Sequence, residues 1–288
     1  MRVLFCTDGS AISYAAIKNF SNWYKDISVD IFCAADWNFL PDSIAVEDSD
    51  FALKCTNSAT KILDYSSDFL IENNIEVARK IKMCGPTVDS ITDICNENDY
   101  DVIVLGSNGK KGIQKWLGSV SQGVASTSEV SVYIAKGENK SKKILFAVED
   151  SLYCKQMLAH HIKYMKLTEK EIHIATVYET PDYLFLEGNI DSNWINDVEK
   201  KQENESIRLI KEYEAIFNSN NLNVKRKKIL NGNPSARIIK YSSDENIDLV
   251  VCCVRNRKLL SRMLLTSVSR RILENTPADV LLIKSNNR

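Results

Sequence analysis

Short apolar runs alternate along the chain with stretches in which apolar positions recur every three or four residues. VLFC (3–6), VDIFCAA (29–35), IEVARKIKM (75–83), DVIVLG (101–106) and VSVYIA (130–135) carry the β-branched and aromatic composition of strands. Between them ISYAAIKNFSNWY (12–24), a long stretch ahead of residue 75, VDSITDICNE (88–97) and VSQGVASTS (120–128) have helical periodicity. Strands separated by helices require crossover connections, which are right-handed and build a mainly parallel sheet with helices on both faces.

The same pattern occurs twice. RVLFCTDGS (2–10) aligns with KILFAVEDS (143–151), DVIVLGSNG (101–109) with DLVVCCVRN (248–256), LGSVS (117–121) with LTSVS (265–269), and VSVYIAKG (130–137) with ADVLLIKS (278–285). The order of matches is preserved, so each half starts and ends on a strand. GENKSKK (137–143) between them is polar and charged, as an exposed connection is. The predicted architecture is α/β, with two tandem doubly wound domains, 1–138 and 142–288, each a five-stranded mainly parallel sheet. In the second half, residues 192–217 form a charged helical stretch, with Trp194, Ile195, Val198, Ile207, Ile210 and Ile216 expected to face the sheet.

Composition agrees with two such units, since 288 residues divide into halves large enough to bury a core. Charge is balanced, 37 basic against 38 acidic residues, which argues against nucleic acid or an anionic membrane as a partner of the whole chain. The eight cysteines are scattered without a CxxC pair, and the three histidines lack zinc-ligand spacing; no metal site is expected. MRVLFCTDGS has no signal-peptide apolar core, and no stretch approaches the ~20 apolar residues of a membrane span, so a cytoplasmic location is expected.

In doubly wound sheets, ligands bind beyond the carboxyl ends of the strands, where strand order reverses. At one such end lies VIVLGSNGKKGIQKWLGSVSQGV (102–124), in the order strand, glycine loop, helix start. Gly106 and Gly109 would let backbone N–H groups approach an anion, and Gly118 and Ser119 precede a helix whose first turn offers unpaired donors. Ser119 and Ser121 add hydroxyls, and Lys110, Lys111 and Lys115 raise the local potential. A polyphosphate is the guest this chemistry suits; the competing reading is a tight turn with Ser119 as a cap. The stretch is neither a Walker loop nor a dinucleotide fingerprint after the first strand, which argues against P-loop and nicotinamide chemistry.

These residues resemble the universal stress protein family, whose nucleotide-binding members carry G-x2-G-x9-G-[ST] after the fourth strand. Here the pattern is Gly106, Gly109, Gly118 and Ser119, with an eight-residue spacer in place of nine. The resemblance covers nearly the whole chain as two copies, including TDGS and VEDS after the first strands and the helix starts GPTVDSI and GNPSARI. It implies a stress protein that binds ATP, or AMP or ADP, in its first domain, with nucleotide controlling conformation or a protein partner. By the resemblance, Asp8 meets the ribose with Thr7 beside it, and backbone at Ala34 reads the adenine edge. Gly106, Asn108, Gly109, Gly118, Ser119, Val120 and Ser121 hold the phosphates. Mg²⁺ would be held mainly by phosphates and water. Taken alone, Asp8 also fits a helix cap or turn.

In the second half Cys253 and Asn256 stand where Gly106 and Gly109 do, and Thr266 replaces Gly118, leaving Ser267 and Ser269. Those side chains would crowd a phosphate, so weak or no nucleotide binding is expected there. Arg255, Arg257, Lys258 and Arg262, with Arg270 and Arg271, make that loop basic; a solvated face or an anion site are both open, and the absence of interleaved aromatics argues against RNA. Family dimers join through their last strands, which implies an intrachain pseudo-dimer, with homodimerisation left open. No histidine or evident base lies near the glycine loop, so at most slow hydrolysis is expected. The alternatives are a nucleotide-independent scaffold and, further off, a nucleotide-α-hydrolysing ligase, of whose SGGxDS loop TDGSAIS retains only a remnant.

Overall fold

In the computed structural model, residues 1–36, 49–107, 117–179, 192–254 and 265–284 are described. The chain divides into two compact units, the first built on strands β1–β5 and the second on β6–β10. In the first, β1 (Arg2–Cys6), α1 (Ala11–Trp23), β2 (Ser28–Ala35), α2 (Ser49–Glu72), β3 (Glu76–Cys84), α3 (Thr87–Glu97), β4 (Val102–Gly106), α4 (Ser119–Thr127) and β5 (Ser131–Ala135) follow one another. The order of elements read from hydrophobic periodicity is therefore the observed one.

All pairings within this unit are parallel, in the order β3-β2-β1-β4-β5. Val3 stands beside both Val29 and Val102, and Phe5 beside Ile31 and Val104. Their side chains are fully buried, as strands covered on both faces require. From β1 the chain moves outward through β2 to β3, then returns across β1 to β4 and β5. Right-handed crossovers thus put α1 and α2 on one face and α3 and α4 on the other. α1 packs on β4 and β5, α2 on β2 and β3, and α3 against α4. The last contact is close, because a Cβ on Gly123 of α4 would lie 2.8 Å from Cγ2 of Val88. The edge strand β3 is largely exposed and carries Arg79, Lys80 and Lys82, charges that discourage pairing with another strand.

The second unit repeats the plan with β6 (Lys143–Ala147), α5 (Leu152–Tyr164), β7 (Glu171–Tyr178), α6 (Ser192–Asn218), β8 (Val224–Asn231), α7 (Pro234–Asp244), β9 (Leu249–Cys253), α8 (Ser267–Asn275) and β10 (Asp279–Ile283). Its parallel order is β8-β7-β6-β9-β10. Of the residues periodicity suggested, the long helix α6 buries Ile210 and half-buries Val198 and Ile216, but its fully covered stripe also takes in residues that pattern left out. Leu209, Ile210, Tyr213 and Phe217 are buried, whereas Trp194 is 51% and Ile207 38% exposed. The spacing 209, 210, 213, 217 is itself helical, and the Phe217 ring meets Phe146 of β6 edge-on at 4.9 Å. Ile195 lies outside the residues whose side chains are described.

Candidate functional site

The strand order of the first unit reverses between β1 and β4, and at the carboxyl ends of these strands lies a cavity of about 300 Å³. Thr7, Asp8, Ala34, Gly106, Gly118, Ser119, Val120 and Ser121 all line it. Eight of the ten residues named from sequence are thus brought together; Asn108 and Gly109 lie outside the described residues.

Asp8 and Thr7 are held by the turn that starts α1. Gly9 adopts φ 74°, left-handed backbone that glycine enters without a Cβ penalty. This lets the Ser10 N–H donate to Asp8 Oδ1 at 3.0 Å and the Gly9 N–H donate to Thr7 Oγ1 at 3.0 Å. Ser10 then caps α1, its hydroxyl accepting from the Ser13 N–H. The hydroxyls of Thr7 and Ser13 share a hydrogen bond of 2.8 Å. Asp8 therefore holds the turn with one oxygen while remaining exposed at the mouth of the cavity.

The glycines at the other wall have two distinct roles. A Cβ on Gly106 would lie 2.9 Å from Ile12 Cγ2, 3.0 Å from the Ile12 carbonyl carbon and 3.1 Å from the Ser13 nitrogen. Absence of a side chain there lets the start of α1 sit against the end of β4. That packing role accounts for Gly106 whatever the cavity holds. Gly118 is the N-cap of α4 and provides no side-chain hydrogen bond to the first-turn N–H groups. It is fixed by its own N–H, which donates to the Ser107 carbonyl at 2.6 Å, and by Ser121, whose hydroxyl donates to the same carbonyl at 2.7 Å. Ser121 is therefore buried and committed to the loop, and Ser119 is exposed.

The remaining lining was not anticipated from sequence. Phe32 of β2, Ile91 of α3 and Leu105 of β4 make an apolar wall; Cys6, Ser10, Ser13 and Thr87 complete the lining. Thr87 is anchored through its N–H and hydroxyl to Asp36 Oδ2, at 3.2 and 3.3 Å. These residues carry no motif, and only the register of β2 and the docking of α3 bring them in. Burial pushes the Cys6 thiol well above its ordinary value, with Cys95 and Cys33 adding to the shift, so it lines the cavity as a neutral group. Among the described residues no group of His, Cys, Asp and Glu is arranged to hold a metal ion.

The equivalent place in the second unit is built differently. Thr266 caps α8, its hydroxyl accepting from the Ser269 N–H at 3.2 Å and bonding the Ser269 hydroxyl at 3.0 Å. Cys253 occupies the position of Gly106, with its thiol 3.8 Å from the Cys154 carbonyl. The Tyr213 hydroxyl donates to the Glu149 carbonyl at 3.0 Å. Thr266 thus spends on itself a donor that Gly118 leaves without a side-chain partner. Arg255, Arg257, Lys258 and Arg262 fall outside the described residues.

Fold and site together define a tandem pair of doubly wound α/β units, one with a lined cavity at its strand-order switch point. The universal stress protein family model matches residues 1–136 and 140–284, so the chain belongs to that family as a two-copy member. It is 25% identical over 152 residues to a universal stress protein of Methanocaldococcus jannaschii, covering 52% of this chain and 86% of that one. A Synechocystis universal stress protein is 23% identical over 229 residues, 78% of this chain and 72% of its own length. The solved universal stress protein of Archaeoglobus fulgidus aligns with 99% of this chain and 97% of its own at a TM-score of 0.69 and 19% identity, a likeness of fold. No helix among the described residues is long and apolar enough to cross a membrane.

Proposed function

We propose that the first unit binds an adenine nucleotide, ATP in the first place with AMP or ADP as the other candidates, and that occupancy controls its conformation or its engagement of a protein partner. The observation that carries this reading is the donor set of the cavity. A carboxylate from the β1–α1 turn, an apolar wall and a helix start without a side-chain cap face one space. A nucleoside needs the first two, for ribose hydroxyls and a base face, and phosphate needs the third. The volume, about 300 Å³, lies at the lower end of the range for small-molecule sites.

When bound, the nucleotide supplies a polyanion, with Mg²⁺ carried on its phosphates. The chain's own residues do the rest. Asp8 accepts from hydroxyls, backbone at Ala34 meets the base edge, and the N–H groups of Ser119, Val120 and Ser121 donate to phosphate oxygens. Gly106 lets α1 stand close enough to hold Asp8 in place. The second unit, with Thr266 capping α8 and Cys253 in place of glycine, supports a structural or partner-directed role for that half.

The test is Gly118→Thr, which gives α4 the cap that α8 already has. The substituted protein should fold as well as the parent, because a threonine N-cap is compatible with helix starts. Binding of Mg-ATP, followed by calorimetry, should fall at least about tenfold, the loss expected when one charge-assisted hydrogen bond is displaced. Unchanged affinity would remove the helix start from the site. If neither protein bound any adenine nucleotide, the scaffold reading would stand in its place.

A further inference from the structure

The repeat places two cysteines face to face in the second unit. Cys154 is the third residue of α5 and the counterpart of Ser13; Cys253 ends β9 and is the counterpart of Gly106. In the first unit a Cβ at Gly106 would point to within 3.1 Å of the Ser13 backbone nitrogen. A side chain added at this position is therefore aimed at the start of the helix opposite. In the second unit this is what occurs: Cys253 Sγ lies 3.8 Å from the Cys154 carbonyl, and the Cys253 side chain is the largest influence on the Cys154 thiol, lowering its pKa. Both are reduced. Cys154 Sγ also lies 3.4 Å from Glu149 Oε1. The geometry points to a dithiol site at Cys154 and Cys253 that peroxide oxidises to an intrachain disulfide tying the end of β9 to the start of α5.

The chemistry balances with hydrogen peroxide as the oxidant. The Cys154 thiolate attacks one peroxide oxygen, so that an S–O bond forms, the O–O bond breaks and hydroxide leaves. The Cys253 sulfur then attacks the Cys154 sulfenic sulfur. An S–S bond forms, the S–O bond breaks and hydroxide departs; the two protons given up by the thiols convert both hydroxides to water. Two sulfurs have lost two electrons and the peroxide has gained them. Cys154 is the better first nucleophile, since the Cys253 side chain lowers its pKa, overcoming burial and the Glu149 charge, and Ser151 adds to the lowering. Cys253, raised by the Cys154 side chain and by burial, keeps its proton and resolves. Cys154 is fully buried and Cys253 half-buried, so the oxidant must be as small as peroxide. The adjacent Cys252 is buried with its thiol pushed up to about 12 by burial, which leaves it out of the reaction.

Peptide mapping of the native full-length protein, before and after peroxide with free thiols alkylated, tests this. Trypsin releases Cys154 within residues 144–155 and Cys253 within 241–255. The proposal expects these two peptides to become one species lighter than their sum by two hydrogen atoms, with fragmentation placing the bond on Cys253 and a dithiol reductant reversing it. Cys252→Ser should retain the link, and Cys253→Ser should lose it and leave Cys154 sulfenylated. The wild-type map alone decides the matter should a variant fail to fold. Both thiols fully alkylated after peroxide, a bond to Cys252, a link only between chains, or stepwise gain of oxygen without linkage would each overturn it.

Discussion

Gly106 marks where residue identity acts through packing. Alanine there must displace Ile12 and the backbone of Ser13, because its Cβ would stand 2.9 and 3.1 Å from them. We expect Gly106→Ala to lower the unfolding free energy by about 1–3 kcal/mol, as overpacked sites do, and a urea titration reads this directly. A loss below the error of that titration would mean that α1 shifts freely. Sequence reasoning found Gly106 through the phosphate-loop pattern, but its demonstrable constraint is the helix behind it. That neighbour is invisible in the chain order, because Ile12 and Gly106 meet only through the pairing of β1 with β4.

A second residue-scale expectation concerns His161, 1% exposed on α5. Burial, with the neighbouring His160 adding, pushes its pKa down to about 3. The unfolded chain takes up this proton near pH 6.5 and the folded chain only near 3, so the unfolded state holds more protons between those values. Stability is therefore intact above 6.5 and falls as the pH drops towards 3. The slope from this one group is about 1.4 kcal/mol per pH unit. Chemical denaturation at several pH values should give His161→Leu a dependence shallower by one proton; an unchanged slope would place the titration elsewhere.

At the scale of elements, the helices show how far periodicity reaches. The spacing of apolar residues located α6 and placed Ile210 on its buried face, but it missed Leu209, Tyr213 and Phe217, which complete that face. Phe217 is fully buried against Phe146, so Phe217→Ala should cost about 3–5 kcal/mol, whereas Trp194→Ser, at an exposed position, should stay within about 0.5 kcal/mol. Equal effects from the two would reverse this assignment of faces. The helix α4, whose first-turn donors the proposed site assigns to phosphate, packs against α3. Gly123→Ala would bring a Cβ to 2.8 Å from the stiff Val88 side chain. It should weaken nucleotide binding and stability together, and Val88→Ala in the same chain should restore both; binding unaffected by the single change would uncouple α4 from the site.

Across the whole molecule, the fold was legible because each half repeats one order of strands and helices, and parallel crossovers leave few topologies for that order. Thr7, Asp8, Gly106, Gly118 and Ser119, which line the cavity, were legible as well, through glycines and serines close to the family pattern. The apolar wall was not. Phe32, Ile91 and Leu105 look like any core residues, and only the register of β2 beside β1 and the seat of α3 direct them into the cavity. The two units, alike in plan, differ in what stands at the switch point. The first has Gly118 and an uncapped helix start, and the second has Thr266, Cys253 and Cys154. We infer that this difference gives one nucleotide site to a chain of two similar units. The most direct test is the molar ratio of adenine nucleotide to chain at saturation, measured on the full-length protein by equilibrium dialysis with Mg-ATP. One per chain is expected, bound at least about tenfold more weakly in Gly118→Thr; two per chain, or one whose affinity is unchanged by that substitution, would contradict this.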